Sequence, residues 1–268
     1  MSTNRIETKN LFRLIAVAAT LLGIVAAALF FYQKEQIQNT QKRELKVIAD
    51  YKANEIINWR NNYYRAADEI FYDDKVRQFA ENYTGKGKSD EQELAMFREY
   101  LAVISSRYSF SGIHICSRGG KEILPSYGTD SKPDDLINAI CKEGDSVLAP
   151  FISDFHKDEN GHIHLTLVVP FFKYSGKQKT PYLFFFGRIN PDKELYPVLD
   201  SWPYESLTSE STLSLVERDS IVYLNELRHR KNSALSLKIS THDSSYVAVK
   251  AFAQADRIVE GLDYRGKR

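Results

Sequence analysis

One uncharged segment constrains this chain more than any other feature of its sequence. It covers twenty residues, Leu14 to Gln33, and is flanked by Arg13 and Lys34. As a helix the segment measures about 30 Å, which is the thickness of the hydrocarbon core of a bilayer. The sequence therefore predicts a retained transmembrane helix at residues 14–33, after a short polar tail at residues 1–13.

Two other readings of this segment stay open on sequence grounds. A basic start followed by the alanines at 26–28 is typical of a cleaved signal peptide, although the apolar run continues to Tyr32. A buried helix of a soluble protein usually carries a polar residue in each turn, whereas here only Thr20 and Gly23 interrupt the run. After residue 33 there is no second apolar run of spanning length, so the remainder is expected on one side of the membrane.

The amino-acid composition indicates which class of protein the remaining chain belongs to. The protein has 268 residues, a formal net charge of +1 and 43% hydrophobic residues, which is typical of a folded, globular protein. Near-neutral charge gives no reason to expect nucleic acid as a partner. The sequence has no Gly-rich nucleotide loop, no Cys-x-x-Cys pair, no His-Glu-x-x-His and no Gly-x-Ser-x-Gly. Neither a catalytic residue nor a cofactor is therefore expected in this chain.

The order of predicted elements indicates the fold class. Residues 34–82 read as one long helix with an apolar stripe, and a second helical pattern covers residues 91–108. The pattern then becomes strand, strand, short helix and three further β segments up to residue 190. This order predicts an α+β fold, in which helices cover one face of an antiparallel sheet.

The hairpin at residues 153–166 carries the histidines that attract most attention. A three-residue loop at 159–161 would place these polar side chains on one face: Asp154, His156, Asp158, His162 and His164. On that face His156, His162 and His164 are weak candidates for a divalent metal site. A two-residue loop at Asn160-Gly161 would turn His156 to the opposite face, and the residues would then be ordinary solvated hairpin positions.

A resemblance to a known family rests on short motifs in the last third of the chain. These are Leu195-Tyr196-Pro197, Ser201-Trp202-Pro203, the YLNELR run at 223–228 and the GLDYRG run at 261–266. They resemble the junction and second module of a double Cache extracellular sensor domain, and residues 48–59 resemble the first helix of that family. The resemblance implies a PAS-like, membrane-distal Cache module and linker at residues 83–204 and a membrane-proximal Cache module at residues 205–268.

The same resemblance implies a location and a role. The domain would lie outside the cytoplasmic (inner) membrane, in the periplasm, with the N-terminal tail inside. Such domains feed a cytoplasmic output, commonly a histidine kinase or a diguanylate cyclase, which this sequence does not contain. The second module is expected to be incomplete at Arg268 and to leave an unpaired sheet edge.

The resemblance also implies a small-molecule pocket in the distal module, for an amino acid or another organic ion. The candidate ligand-binding residues are Arg107, Tyr108, Tyr127, Asp154 and Arg188. Arg107 would hold a carboxylate and Asp154 an ammonium group. Each of these residues also has a plain structural reading, as a packing or surface residue.

Three further expectations concern assembly. Cys116 on the first strand and Cys141 on the short helix are expected to approach and form a disulfide, with two free thiols as the alternative. The membrane end of the long helix is expected to form a parallel homodimer. A different class of function also stays open, namely a membrane-anchored envelope module that binds another protein and has no small ligand.

Overall fold

The computed structural model describes residues 3–86, 91–120, 122–128, 133–203, 209–254 and 257–267. The chain divides into two compact units, Met1–Tyr51 and Lys52–Arg268. The helices are α1 (Thr3–Tyr72), α2 (Asp74–Lys86), α3 (Glu91–Tyr108), α4 (Asp135–Glu143), α5 (Pro191–Glu194), α6 (Tyr196–Asp200) and α7 (Val247–Ala253). The strands are β1 (Phe110–Ser117), β2 (Glu122–Gly128), β3 (Phe151–Ile152), β4 (His156–Lys157), β5 (Ile163–Ser175), β6 (Gln178–Ile189), β7 (Ser214–Glu217), β8 (Ser220–Tyr223) and β9 (Lys238–Ser240).

The first unit is the N-terminal part of α1. Side chains from Ile15 to Tyr32 are exposed, although most of them are apolar. Within the described residues one helix is long and apolar enough to cross a membrane, and none of its apolar window is buried in the protein. The segment predicted to span a bilayer is thus a helix whose apolar surface the described part of the protein does not cover.

In the second unit α1 continues as a core helix. Tyr63, Ala66, Ala67 and Ile70 are buried, and their spacing of three and four residues places them on one face of the helix. This stripe is the one that the sequence pattern predicts. It packs in a hydrophobic core that also contains apolar residues of α2, α3 and the sheet.

The long helix ends earlier than its sequence pattern predicts. A single helix to residue 82 was expected, whereas α1 ends at Tyr72 and α2 begins at Asp74. Asp73 separates them, because its carboxylate accepts a hydrogen bond from the backbone N–H of Lys75 at 2.7 Å and so caps the new helix. The carboxylate also accepts a hydrogen bond from the hydroxyl of Tyr100 on α3.

The main sheet is antiparallel, with strand order β2-β1-β6-β5-β3 and the short β4 paired to β5. Helices α1, α2 and α3 share one core with one face of this sheet. The predicted α+β fold of helices and antiparallel strands is confirmed. The prediction that helices cover only one face of the sheet is wrong. Helix α4 packs on the opposite face, where Ile137 and Ile140 lie against Phe184 and Phe186 of β6.

A second, three-stranded antiparallel sheet follows in the order β7-β8-β9. Its small core contains Tyr223, Leu227, Leu237 and Ile239. The connection from the main sheet runs through α5 and α6. Leu195 between these helices and Tyr196 and Leu199 of α6 form a separate buried cluster, against which Trp59 of α1 packs.

Candidate ligand site

The candidate site lies on the face of the main sheet that α4 covers. His164 and Thr166 of β5 are two residues apart and therefore point to the same face. Arg188 of β6 is the register partner of Thr166, so its side chain shares that face. All three are buried, with exposed fractions of 3%, 0% and 2%. The two strands thus bring an imidazole, a hydroxyl and a guanidinium together in the interior.

Asp134 joins these residues from the N-terminus of α4. It is the N-cap of that helix, and its Oδ1 accepts a hydrogen bond from the backbone N–H of Ile137 at 2.9 Å. Its Oδ2 lies 2.9 Å from Nε2 of His164 and 3.2 Å from Nη2 of Arg188. One oxygen of the carboxylate therefore caps the helix, and the other faces the side chains of the sheet.

His156 completes the cluster from the hairpin. Its Nε2 lies 3.2 Å from Oδ2 of Asp134, and its ring contacts that of His164 at 4.3 Å between centroids. Its Nδ1 lies 3.0 Å from the backbone oxygen of Asp154, an acceptor. We refer to Asp134, His156, His164 and Arg188 as the charged cluster.

The register of the hairpin explains why the two histidines meet. His156 pairs with His164, and the backbone N–H of Asp158 donates to the carbonyl of His162 at 2.9 Å. The hairpin loop therefore has three residues, 159–161, which is the alternative that places His156 and His164 on one face. His162 lies at the exposed tip and contacts the carboxylate of Asp158 at 3.2 Å, apart from the charged cluster.

Electrostatics in the cluster favour the ionised carboxylate. Burial alone would raise the pKa of Asp134, but hydrogen bonds from His156, His164 and the backbone of Ile137, together with the charge of Arg188, hold that pKa well below its usual range. Burial would likewise lower the pKa of His156, yet its hydrogen bond to Asp134 raises that pKa above the ordinary value. The cluster is thus a buried anion surrounded by groups that carry or can carry positive charge.

A disulfide fastens α4 to the sheet next to this site. Cys116 of β1 and Cys141 of α4 are joined, with their Cα atoms 6.3 Å apart. Both residues belong to the core under α4. The helix that supplies Asp134 is therefore held by a covalent bond as well as by packing.

The other residues expected at a ligand site have different surroundings. Arg107 and Tyr108 end α3, and both side chains bind the carboxylate of Glu69 on α1, on the opposite side of the sheet from α4. Asp154 is exposed. Tyr127 pairs with Ile113 through its backbone in β2, and its side chain lies outside the described ones. Of the five expected ligand-binding residues, Arg188 is the one that lies in the charged cluster.

Sequence reasoning did not select Asp134 as a candidate site residue. An acid directly before a short helix is typical of an N-cap, and the structure has this cap. The capping interaction uses only one carboxylate oxygen, and the position of the other oxygen depends on how α4 packs on the sheet. The available signal was an acidic N-cap on a helix joined to the sheet by a cysteine pair.

A concavity lies between α2 and α3. It has a volume of about 300 Å³ and is lined in part by Phe79, Phe97, Met96 and Tyr100. Phe79 and Phe97 stack with their ring centroids 3.9 Å apart. The lining is mixed, because four of its eight residues are polar or charged, namely Lys75, Gln78, Asn82 and Glu93.

No protein-family model matches this sequence, and no curated protein matches it. Solved structures of sensory domains are similar to it. One is the ligand-binding domain of the Pseudomonas aeruginosa amino acid chemoreceptor PctB in complex with L-Gln, with 13% identity over 74% of this chain and 71% of that one and a TM-score of 0.46.

Two further structures belong to the same kind of protein. The ligand-binding domain of the Pseudomonas fluorescens chemoreceptor CtaA in complex with L-serine has 12% identity over 84% of this chain and 88% of that one, with a TM-score of 0.46. The sensory domain of the Campylobacter jejuni chemoreceptor Tlp3 with isoleucine bound has 10% identity over 62% and 65%, with a TM-score of 0.39. These are sensory domains of the class that the sequence resemblance implies, and likenesses this distant carry no argument about what the present chain binds.

Proposed function

We propose that this chain is the extracytoplasmic ligand-sensing region of a membrane-bound signal-transduction receptor. The observation that carries this proposal is the charged cluster. Asp134 and Arg188 are 6% and 2% exposed, and burying such a pair rarely adds stability over apolar residues of similar size. Charges kept in an interior at that cost are typical of a recognition site.

The cluster indicates a class of ligand. Arg188 offers a guanidinium fork that suits a carboxylate, and Asp134 offers an anion that suits an ammonium group. A small zwitterion or organic ion, such as an amino acid, would satisfy both. In this proposal Asp134 and Arg188 take the roles that the sequence resemblance gave to Asp154 and Arg107.

The apolar helix and the disulfide support a location outside the cytoplasm. Disulfides persist in oxidising compartments such as the bacterial periplasm. A retained helix at residues 14–33 would anchor the domain to the cytoplasmic membrane. The output domain, a histidine kinase or a diguanylate cyclase, would belong to another part of the receptor.

A signal can leave the site through the sheet. Thr166 and Val168 of β5 face α4, while Leu167 and Val169 of the same strand lie in the core shared with α1. A ligand shifts the equilibrium only if it binds one packing of α4 on the sheet more tightly than another. Such a ligand would change the population of the two packings, and the shared strand would pass the change to the core on the α1 side. Equal affinity for both packings would produce no signal.

A pair of neighbouring variants tests the proposal. The full chain in detergent micelles is screened by thermal unfolding against amino acids and small organic ions. Asp134→Asn keeps an N-cap side chain but removes the charge, so we expect it to abolish the ligand-induced rise in Tm. Asp135→Asn, an exposed position one residue later, is the control and should retain the full rise.

The outcomes separate clearly. Equal ligand-induced shifts in both variants would place binding outside the charged cluster and contradict the proposal. Circular dichroism of each variant without ligand checks that α4 and the sheet have formed.

A second candidate function is that of an envelope module that binds another protein. Exposed apolar side chains on α3 favour this candidate. Met96 and Val103 are 62% and 57% exposed and lie two helical turns apart, on one face. Photo-crosslinking from position 96 in membranes would test it. A specific protein adduct that persists in Asp134→Asn, together with no response to any small ligand, would favour this candidate over the sensor.

A further inference from the structure

Three potential metal ligands in the charged cluster converge on one point. His156, His164 and Asp134 each offer one ligand atom, and these three atoms lie within 4.8 Å of one another. Nε2 of each histidine faces Oδ2 of Asp134. The two nitrogen–oxygen distances are 3.2 Å and 2.9 Å. His164 and Asp134 are buried, and His156 is partly buried, so the point lies inside the domain and not on its surface.

The separations fit a tetrahedral cation. Zinc binds imidazole nitrogen and carboxylate oxygen at about 2.0–2.1 Å, so two ligands at a tetrahedral angle lie about 3.3 Å apart. The observed distances of 3.2 Å and 2.9 Å are close to this value. The two separations are therefore compatible with a tetrahedral cation at the common point.

The surroundings hold these ligands in position. Nδ1 of His156 faces the backbone carbonyl of Asp154 at 3.0 Å, which is the outer contact that metal-binding histidines usually make. The other oxygen of Asp134 accepts from the N–H of Ile137. These two hydrogen bonds fix the orientation of the His156 and Asp134 side chains, so that Nε2 of His156 and Oδ2 of Asp134 face the common point.

We infer that the charged cluster binds a divalent transition-metal cation, with His156, His164 and Asp134 as its protein ligands. Two imidazoles and one carboxylate suit Zn²⁺ and its neighbours in the first transition row better than Mg²⁺ or Ca²⁺. This inference rests on the proposed function, because it names a ligand for the same cluster. The metal would be sensed itself or would hold an anionic ligand at its fourth position.

Two other groups of the cluster bear on this site. The hydroxyl of Thr166 is buried with no hydrogen-bond partner among the described residues, so it is available to a fourth ligand. Nη2 of Arg188 lies 3.2 Å from Oδ2 of Asp134, so the positive charge of the guanidinium would disfavour a cation bound there. Its guanidinium would have to turn toward the fourth ligand, and its removal should tighten metal binding.

Histidine variants on one hairpin provide the main test. The full chain, purified in detergent without a polyhistidine tag and stripped with a chelator, is titrated with Zn²⁺ by calorimetry. We expect one Zn²⁺ per chain and a loss of affinity of about tenfold or more in His156→Gln. His162→Gln, the same substitution at the exposed tip, should bind as the wild type does.

Each alternative result has a definite meaning. No binding by the wild type, or an equal loss in His156→Gln and His162→Gln, would overturn the inference. If amino acids raise the Tm through Asp134 while Zn²⁺ does not bind, the metal inference fails and the sensing proposal stands. If Zn²⁺ binds as expected and no organic ion does, the cation is the ligand.

Arg188→Met gives an independent arm of the test. If the cation lies beside Asp134, loss of the neighbouring positive charge should raise Zn²⁺ affinity on the order of tenfold. A folded Arg188→Met protein that binds Zn²⁺ more weakly would contradict the inference. Should this variant not fold, the comparison of His156→Gln with His162→Gln still decides the question.

Discussion

The ammonium group of Lys52 donates hydrogen bonds to the backbone carbonyls of Val198 and Leu199, at 2.7 Å and 2.8 Å. A third carbonyl, that of Ser201, accepts from the same nitrogen. These carbonyls end α6, where the helix dipole favours a cation. The ring of Trp202 lies 5.6 Å from the ammonium nitrogen, so α1 is fastened to the linker between the two sheets.

Lys52→Met should therefore destabilise the protein by about 2–3 kcal/mol. The substitution keeps an apolar stem but removes the ammonium donor from the carbonyls of Leu199 and Ser201, and such buried groups are costly when unpaired. The carbonyl of Val198 still accepts a hydrogen bond from the hydroxyl of Ser201. Urea unfolding of the full chain in micelles measures the loss. Lys46→Met, an exposed lysine on the same helix, is the control and should change little. Equal midpoints for the two variants would show that the Lys52 contacts do not stabilise the joint.

Buried tyrosines should make the domain sensitive to alkali. Burial, with the charge of Glu81 nearby, raises the pKa of Tyr182 to about 12, and burial raises the pKa of Tyr223 to about 12. An unfolded tyrosine has a pKa of about 10. Their stabilising contribution is therefore complete below about pH 10 and is lost as the pH rises toward about 12.

Tyr182→Phe should reduce this alkaline loss. The hydroxyl of Tyr182 is buried without a hydrogen-bond partner among the described residues, so its removal should also cost less than about 1 kcal/mol near pH 8. Tyr174→Phe, at an exposed position of β5, should leave the alkaline loss as in the wild type. Unfolding free energies at several pH values provide the comparison, and the same alkaline loss in both variants would refute the prediction.

The disulfide should be a major source of stability. It closes a loop with a sequence separation of 25 between Cys116 and Cys141, and a cross-link of that length is worth about 3 kcal/mol. The double variant Cys116→Ser/Cys141→Ser should lose this amount in urea unfolding, compared with the oxidised wild type. Addition of a reductant should destabilise the wild type and leave the double variant unchanged. A double variant as stable as the oxidised protein would contradict this account.

Local patterns in the sequence determined several parts of this protein. The uncharged segment at residues 14–33 predicts a helix with an apolar surface because its length and composition are local properties. The stripe from Tyr63 to Ile70 follows in the same way from helical periodicity, since a helix buries the face on which its apolar residues recur. The alternation of β5 indicates which residues share a face, and the loop length then pairs His156 with His164.

Tertiary structure alone decided which of these residues meet. Asp134 reaches the histidines because α4 packs on the face of the sheet opposite α1, and Arg188 reaches them through its register with β5. Arg107 was expected at the site, yet Glu69 binds it on the other side of the sheet. Periodicity describes which way a side chain points from its own element, whereas contacts between positions far apart in the chain depend on how whole elements pack. The charged cluster belongs to the second kind, and for that reason its acid was not identified before the fold was known.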